Sequence, residues 1–278
     1  MPKIKIVTDS TSFMRKEVIN KYGIEIVPLS VNFKNETFFD GTIDNAAFFE
    51  KIKKHKEIPS TSQPAPGDFV KVFEKIIKGG NEVISIHISS GISGTVESAR
   101  TAAKMVDETR ISVFDSYSTS AGLSMLVIAA AQAIEQGKTR KEIMEMLKKL
   151  KSTLMIIFIP KTLEYLQKGG RIGGAQALLG TILQIKPVLY FLEGKVELLY
   201  KVRTMKKALE KVVGELPLAD AEKLQVALIN ADSSENIRKL KQLVLERLPD
   251  TKIEIYELSN VIATHVGPVA GLAFMQHI

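Results

Sequence analysis

The chain has 278 residues and no cysteine, which removes disulfides, thiolate metal sites and a cysteine nucleophile in one step. It is 45% hydrophobic and 25% charged, a globular balance that argues against disorder in a chain long enough for two domains. A net charge of +7 is small for this length, and the lysine runs Lys51–Lys56 and Lys148–Lys151 carry no interleaved aromatics, so no nucleic-acid partner is expected.

Met1–Val7 runs straight into a strand pattern without the apolar core of a secretory signal. The longest nearly apolar stretch, Ala121–Ile134, is shorter than a membrane span. A cytoplasmic protein with no stable membrane insertion is expected. In chain order, Lys3–Thr8 reads as a strand, Ser12–Tyr22 as a helix and Ile24–Phe33 as one extended segment. Asn45–His55 has helical period, Glu57–Pro66 is a loop rich in Pro, Ser and Thr, and Gly67–Lys78 is helical again. Glu82–Ile88 is a strand, Thr95–Val106 a helix and Arg110–Phe114 a strand. Short strands alternating with helices of this length predict βαβ units around a parallel sheet, which binds ligands in the loops after its strands.

Ser120–Gln136 and Thr139–Lys151 follow as helices, the second opened by a Thr139 cap with Glu142 three residues on. Leu154–Pro160 is a fully apolar, buried strand. Beyond it the pattern changes. Lys186–Phe191 and Lys195–Val202 flank Glu193-Gly194 as a hairpin, Lys206–Gly214 and Ser233–Leu248 are helices, and Leu224–Asn230 and Lys252–Tyr256 are strands. The expected fold class is α/β in two units: 1–152 with a mostly parallel sheet flanked by helices, and 153–278 with a mixed or antiparallel sheet and helices.

Three loops carry hydroxyls, two of them after strands, where a parallel sheet presents its ligands. Thr8-Asp9-Ser10-Thr11-Ser12 follows the first strand and suits a helix cap. Pro59–Gly67 is stiffened by three prolines, which either preorganise Ser60, Thr61 and Ser62 for an oxyanion or simply make a rigid turn. Ser89-Ser90-Gly91-Ile92-Ser93-Gly94-Thr95 opens a helix and makes an anion cradle. It also comes within one residue of the serine-hydrolase elbow G-x-S-x-G, and Ser93, Asp115 or Asp232, and His265 run in the order such hydrolases use. Of four histidines, His55 lies on a solvated face, His87 in a core-like strand and His277 near the end; His265 alone has a turn context. None is spaced as a metal ligand, so no metal is expected. Lys168-Gly169-Gly170-Arg171-Ile172-Gly173-Gly174 has its glycines at the wrong offsets for a dinucleotide fingerprint, so no nucleotide cofactor is expected. The uncharged run Ile172–Ile185 reads as core or as the lining of an elongated apolar cavity.

Thr8–Ser12, Pro59–Gly67, Ser90–Thr95, Leu163–Ile172, Lys186-Pro187, Val202-Arg203-Thr204 and His265-Val266-Gly267-Pro268 together resemble, in order, the motifs of the DegV family of bacterial fatty-acid-binding proteins. The resemblance implies two α/β domains with a lipid slot between them, and a long-chain fatty acid as ligand with no cofactor. By position it implies a carboxylate held by Thr61, Ser93 and His265, with Ser62 as an additional partner. It further implies a carrier without activity of its own that presents the acid to a separate fatty acid kinase for acyl-phosphate formation, with Arg171 and Arg203 at the site edge or the docking surface. The alternative is a serine acyl hydrolase using Ser93 and His265. Two departures stand out. Val269 occupies a position where the family's turn has glycine, which would strain the turn if φ there must be positive. Phe13 stands where an acidic residue is common.

Overall fold

The computed structural model describes residues 3–178 and 185–277. The chain opens with β1 (Ile4–Asp9), a single helical turn at Ser10–Ser12 and α1 (Lys16–Tyr22), then β2 (Glu25–Val27), β3 (Ser30–Phe33) and β4 (Glu36–Phe39). Next come α2 (Asn45–His55), β5 (Ser60–Ser62), α3 (Pro66–Lys78), β6 (Glu82–His87), α4 (Thr95–Val106) and β7 (Ile111–Asp115). Helices α5 (Ser120–Glu135) and α6 (Arg140–Thr153) lead to β8 (Met155–Pro160) and the short α7 (Glu164–Lys168). The remainder is β9 (Lys186–Leu192), β10 (Lys195–Val202), α8 (Met205–Gly214), β11 (Leu224–Ala231), α9 (Ser234–Arg247), β12 (Ile253–Glu257), α10 (Asn260–Val266) and β13 (Val269–Gln276).

Three sheets result. The first, in order β2-β1-β6-β7, is parallel throughout, and the second, β10-β9-β8-β13-β11-β12, is antiparallel except where β11 meets β12. The expected α/β class with one parallel and one mixed sheet is the one observed. A small antiparallel sheet, β4-β3-β5, joins them. On the parallel sheet, α3 buries Phe69, Phe73 and Ile76, one turn apart on a single face, against the small residues Ala99, Ala102 and Ala103 of α4. Helix α5 is buried nearly all round because it packs on strands of both large sheets, which is why its polar side chains are few and small. Helix α6 starts at the Thr139–Glu142 capping box.

Several boundaries differ from the sequence reading, each for a local reason. Ile24–Phe33 is two strands in two sheets, broken around Pro28. Helix α1 begins only at Lys16, because Phe13 takes a left-handed turn at φ 44°. The Pro-rich loop contains β5, whose three residues pair with β3 and so gain order from a partner 30 residues away. His265 lies in the last turn of α10 and not in a free turn. Val269 opens β13 and is buried, while Gly267 supplies the positive φ of 66°, so the valine causes no strain there. Of the run Ile172–Ile185, residues 173–178 form a helical turn and 179–184 lie outside the described residues; among the described residues of that run none lines the cavity that follows.

Candidate ligand site

A cavity lies where the three sheets meet, with about 120 Å³ open to the centres of water molecules. That is several times the ~10–15 Å³ one water needs. Fourteen of its twenty-one described lining residues are aliphatic or aromatic, among them Ile88, Ile156, Phe158, Phe191, Ile229 and Val261. The polar remainder is Thr61, Gln63, Ser93, Thr119, Ser120, Arg171 and His265.

Local structure explains how the polar groups arrive there. Thr61 is the central residue of β5, paired with Val31, and its side chain faces inward. Strand alternation turns Ser62 the other way: it is exposed, accepts a hydrogen bond from Asn32 Nδ2 at 2.9 Å and does not line the cavity. His265 is delivered by α10, whose first turn is held by Ser259 Oγ on Ile262 N–H (3.3 Å) and by the buried Asp40 carboxylate on Val261 N–H (3.1 Å). Asp40 also accepts from Ser10 Oγ at 2.8 Å, which ties α10 to the loop after β1, and burial pushes its carboxyl above the usual range. Ser93 precedes α4, where its Oγ lies 2.9 Å from Thr95 Oγ1.

Thr61 Oγ1 and His265 Nε2 are 2.7 Å apart. The other ring nitrogen, Nδ1, is buried without a hydrogen-bond partner. Burial, with a smaller push from the Arg171 guanidinium, lowers the His265 pKa to about 4, so the ring is neutral at pH 7. Space behind it is closed by backbone: a Cβ on Gly169 would fall 2.2 Å from Nδ1, so only glycine admits the imidazole here. Arg171 enters the lining with Nε on the Ile92 carbonyl (3.1 Å) and Nη1 on the Gly169 carbonyl (2.5 Å). Among the described residues no carboxylate pairs with it. A half-buried cation, a neutral imidazole and hydroxyls beside an apolar cavity suit an anionic head group on an apolar body.

The other expected residues fall elsewhere. Arg203 is exposed, just before the Thr204 cap of α8, and does not line the cavity. The hydrolase arrangement is not assembled. Ser93 bonds Thr95 and His265 bonds Thr61; Asp115 is occupied by the Ser90 and Tyr117 N–H groups, and Asp232 is exposed. Among the described residues no group of acids and histidines could hold a metal, and no helix is long and apolar enough to cross a membrane.

Sequence reasoning missed Gln63, which donates to Ser98 Oγ at 3.0 Å from the cavity wall, and Thr119 with Ser120, which follow β7. The loop-after-strand rule applied to Ser116–Ser120 would have found the latter pair. A second polar cluster lies outside the cavity. His87 Nδ1 is 3.0 Å from Asp9 Oδ2 and His87 Nε2 is 2.6 Å from Ser85 Oγ, and all three residues are fully buried. Asp9 also accepts the Ile88 N–H at 2.9 Å and the Thr11 N–H at 3.1 Å.

Comparison with known proteins places this geometry in a family. A solved structure of a fatty-acid-binding DegV family protein from Thermus thermophilus is 35% identical, covers 99% of both chains and superposes with a TM-score of 0.93. A stearic-acid-binding protein from Eubacterium ventriosum is 26% identical over 99% of this chain and 98% of its own, with a TM-score of 0.90. Protein DegV of Bacillus subtilis is 37% identical over 95% of both chains. The family model described as "Uncharacterised protein, DegV family" matches residues 3–277, and the chain belongs to the DegV family.

Proposed function

We propose that this protein binds one long-chain fatty acid, with its tail in the apolar cavity and its carboxylate held by Thr61, Ser93 and His265 near the Arg171 charge. The observation that carries this reading is the Arg171 cation, without a carboxylate partner among the described residues, beside the half-satisfied Thr61–His265 pair at a mostly apolar cavity. The fatty-acid-binding proteins similar to this chain support the ligand class. Burying a methylene contributes ~0.8 kcal/mol, so about 14 of them give on the order of 11 kcal/mol gross. A hydrogen bond to the carboxylate adds only ~1.5–3 kcal/mol. The tail therefore supplies most of the affinity and the polar groups set the orientation of the head.

That division suits a carrier in the cytoplasm that needs no cofactor and performs no chemistry itself. In this reading the units 1–152 and 153–278 are two domains that form the walls of the slot. A separate kinase phosphorylates the presented carboxylate to an acyl phosphate, and exposed Arg203, with Arg171 at the site edge, contacts that kinase. The test is native mass spectrometry of the purified protein, followed by exchange with added oleate or palmitate. A fatty-acid adduct at one per chain, lost or sharply reduced in Thr61→Ala/Ser93→Ala, is expected, together with loss of kinase-dependent turnover in that variant. An empty wild-type protein that refuses added fatty acid overturns the reading, and full retention and turnover in the double variant overturn the residue assignment.

A further inference from the structure

We infer that the cavity carries a second polar subsite, formed by Thr119 and Ser120 at the head of α5, that takes a hydroxyl group on the chain of the bound fatty acid. The inference rests on the fatty-acid reading and names a narrower ligand class for it: acids oxygenated along the chain.

Thr119 and Ser120 both line the cavity, are 4% and 1% exposed, and have hydroxyls without any hydrogen-bond partner. The Ser118 hydroxyl beside them is also buried and unpartnered. They stand at the N-terminus of a 16-residue helix that has no side-chain cap, so its first N–H groups add donors to the same corner. Ser120 holds a left-handed backbone at φ 49°, a conformation a non-glycine residue adopts only where its surroundings impose it. Buried hydroxyls are ordinarily paired, and three consecutive ones left unpaired beside a cavity call for a partner that enters through it.

This corner is set apart from the Thr61–His265 pair, while its Ser118 carbonyl accepts the Ser89 N–H (2.8 Å) of the loop that carries Ser93. Ile156 packs against it, since a Cβ on Gly122 would lie 2.3 Å from Ser118 Oγ and 2.9 Å from Ile156 Cδ1. His265 belongs to the other end of β8, where Pro160 pairs with Val269 just beyond the α10 turn. Four residues of strand separate Ile156 from Pro160, ~13 Å at about 3.3 Å per residue. While the carboxylate is held at the Thr61–His265 pair, a group meeting Thr119 and Ser120 is therefore carried on the tail. An unsubstituted tail leaves these hydroxyls unpaired, whereas a chain hydroxyl at the right depth both donates to and accepts from them.

The experiment binds stearate and a positional series of monohydroxystearates to the delipidated full-length protein and to its Thr119→Val/Ser120→Ala variant. One positional isomer is expected to bind about tenfold tighter than its neighbours in the series, the scale of one or two neutral hydrogen bonds. The double variant should lose that preference, read as the affinity of each isomer relative to stearate in the same protein. A series without a preferred position, or a preference that survives in the variant, overturns the subsite even though stearate binds normally. Absence of stearate binding by the wild type overturns the fatty-acid reading itself. Should the double variant fail to fold, Thr119→Ser and Thr119→Val singly serve, with the preference retained in the first and reduced in the second.

Discussion

Two histidines of this protein sit in similar company and differ in one respect. His87 lies between Ser85 and Asp9, with both ring nitrogens paired and all three residues fully buried. His265 lies between Thr61 and the backbone of Gly169, with Nδ1 unpaired and an open cavity on its other side. The first cluster contains the residue types of a catalytic triad and no room for a substrate; the second has room and no acid. A completed buried network specifies the fold, because nothing remains for a ligand to satisfy. An incomplete one beside a cavity is a receptor in waiting. Satisfaction of polar groups, more than their identity, separates the histidine closed within the core from the one at the cavity wall.

The sharpest break of that contrast is Asp9→Ala. Asp9→Ala strips the partner from His87 Nδ1 and from the Ile88 and Thr11 N–H groups, each buried group left unpaired costing ~1–3 kcal/mol, so denaturant unfolding should show a large fall in midpoint, while His265→Gln should leave it nearly in place. The pH response comes next. The folded His265 value, about 4, lies below the ordinary 6.5, so between these values the unfolded chain binds more protons than the folded one. Its stabilising contribution is therefore complete above pH 6.5 and is lost as the pH falls toward 4, a slope that His265→Gln should flatten in thermal melts of lipid-free protein. Loading with fatty acid should reverse the shift, since a carboxylate beside the ring favours imidazolium; the ring-proton titration by NMR should move upward. Replacing Arg171 by Gln removes the lesser of the two causes and should raise the His265 value only slightly in the same titration. At the bottom of the scale, Ser62→Ala should leave fatty-acid affinity unchanged, because that hydroxyl serves Asn32 at the surface.

Much of this was legible in the residues. Asn45–His55 and Thr95–Val106 have the boundaries their period predicted, because each has a clear apolar stripe and a defined end. The parallel and mixed sheets followed from where helices separate strands and where a hairpin joins them. β5 was illegible because Ser60-Thr61-Ser62 has no apolar alternation and owes its order to β3. β13 escaped notice because Val269-Ala270-Gly271-Leu272-Ala273 mixes small residues of low strand propensity, which its fully buried position tolerates and its sequence does not advertise. For the site, the family resemblance pointed to Thr61 and Ser93, which both line the cavity, whereas the outward position of Ser62 depended on the phase of a strand that was not foreseen. The unpaired state of His265 Nδ1 depends on Gly169, 96 residues earlier, and no local pattern carries that information.

The position of β13 has a consequence for how the molecule comes into being. Residues 269–276 are the thirteenth strand in chain order, yet they lie between β8 and β11 in the middle of the six-stranded sheet. Until β13 is in place, β8 is paired only with β9 and β11 only with β12, so each keeps one bare edge that invites pairing with other chains. The same strand brings Val269 to the cavity wall, directly after the helix that carries His265. A variant lacking residues 269–276 would leave β8 and β11 with facing bare edges and the cavity without Val269, and is expected to self-associate through those edges.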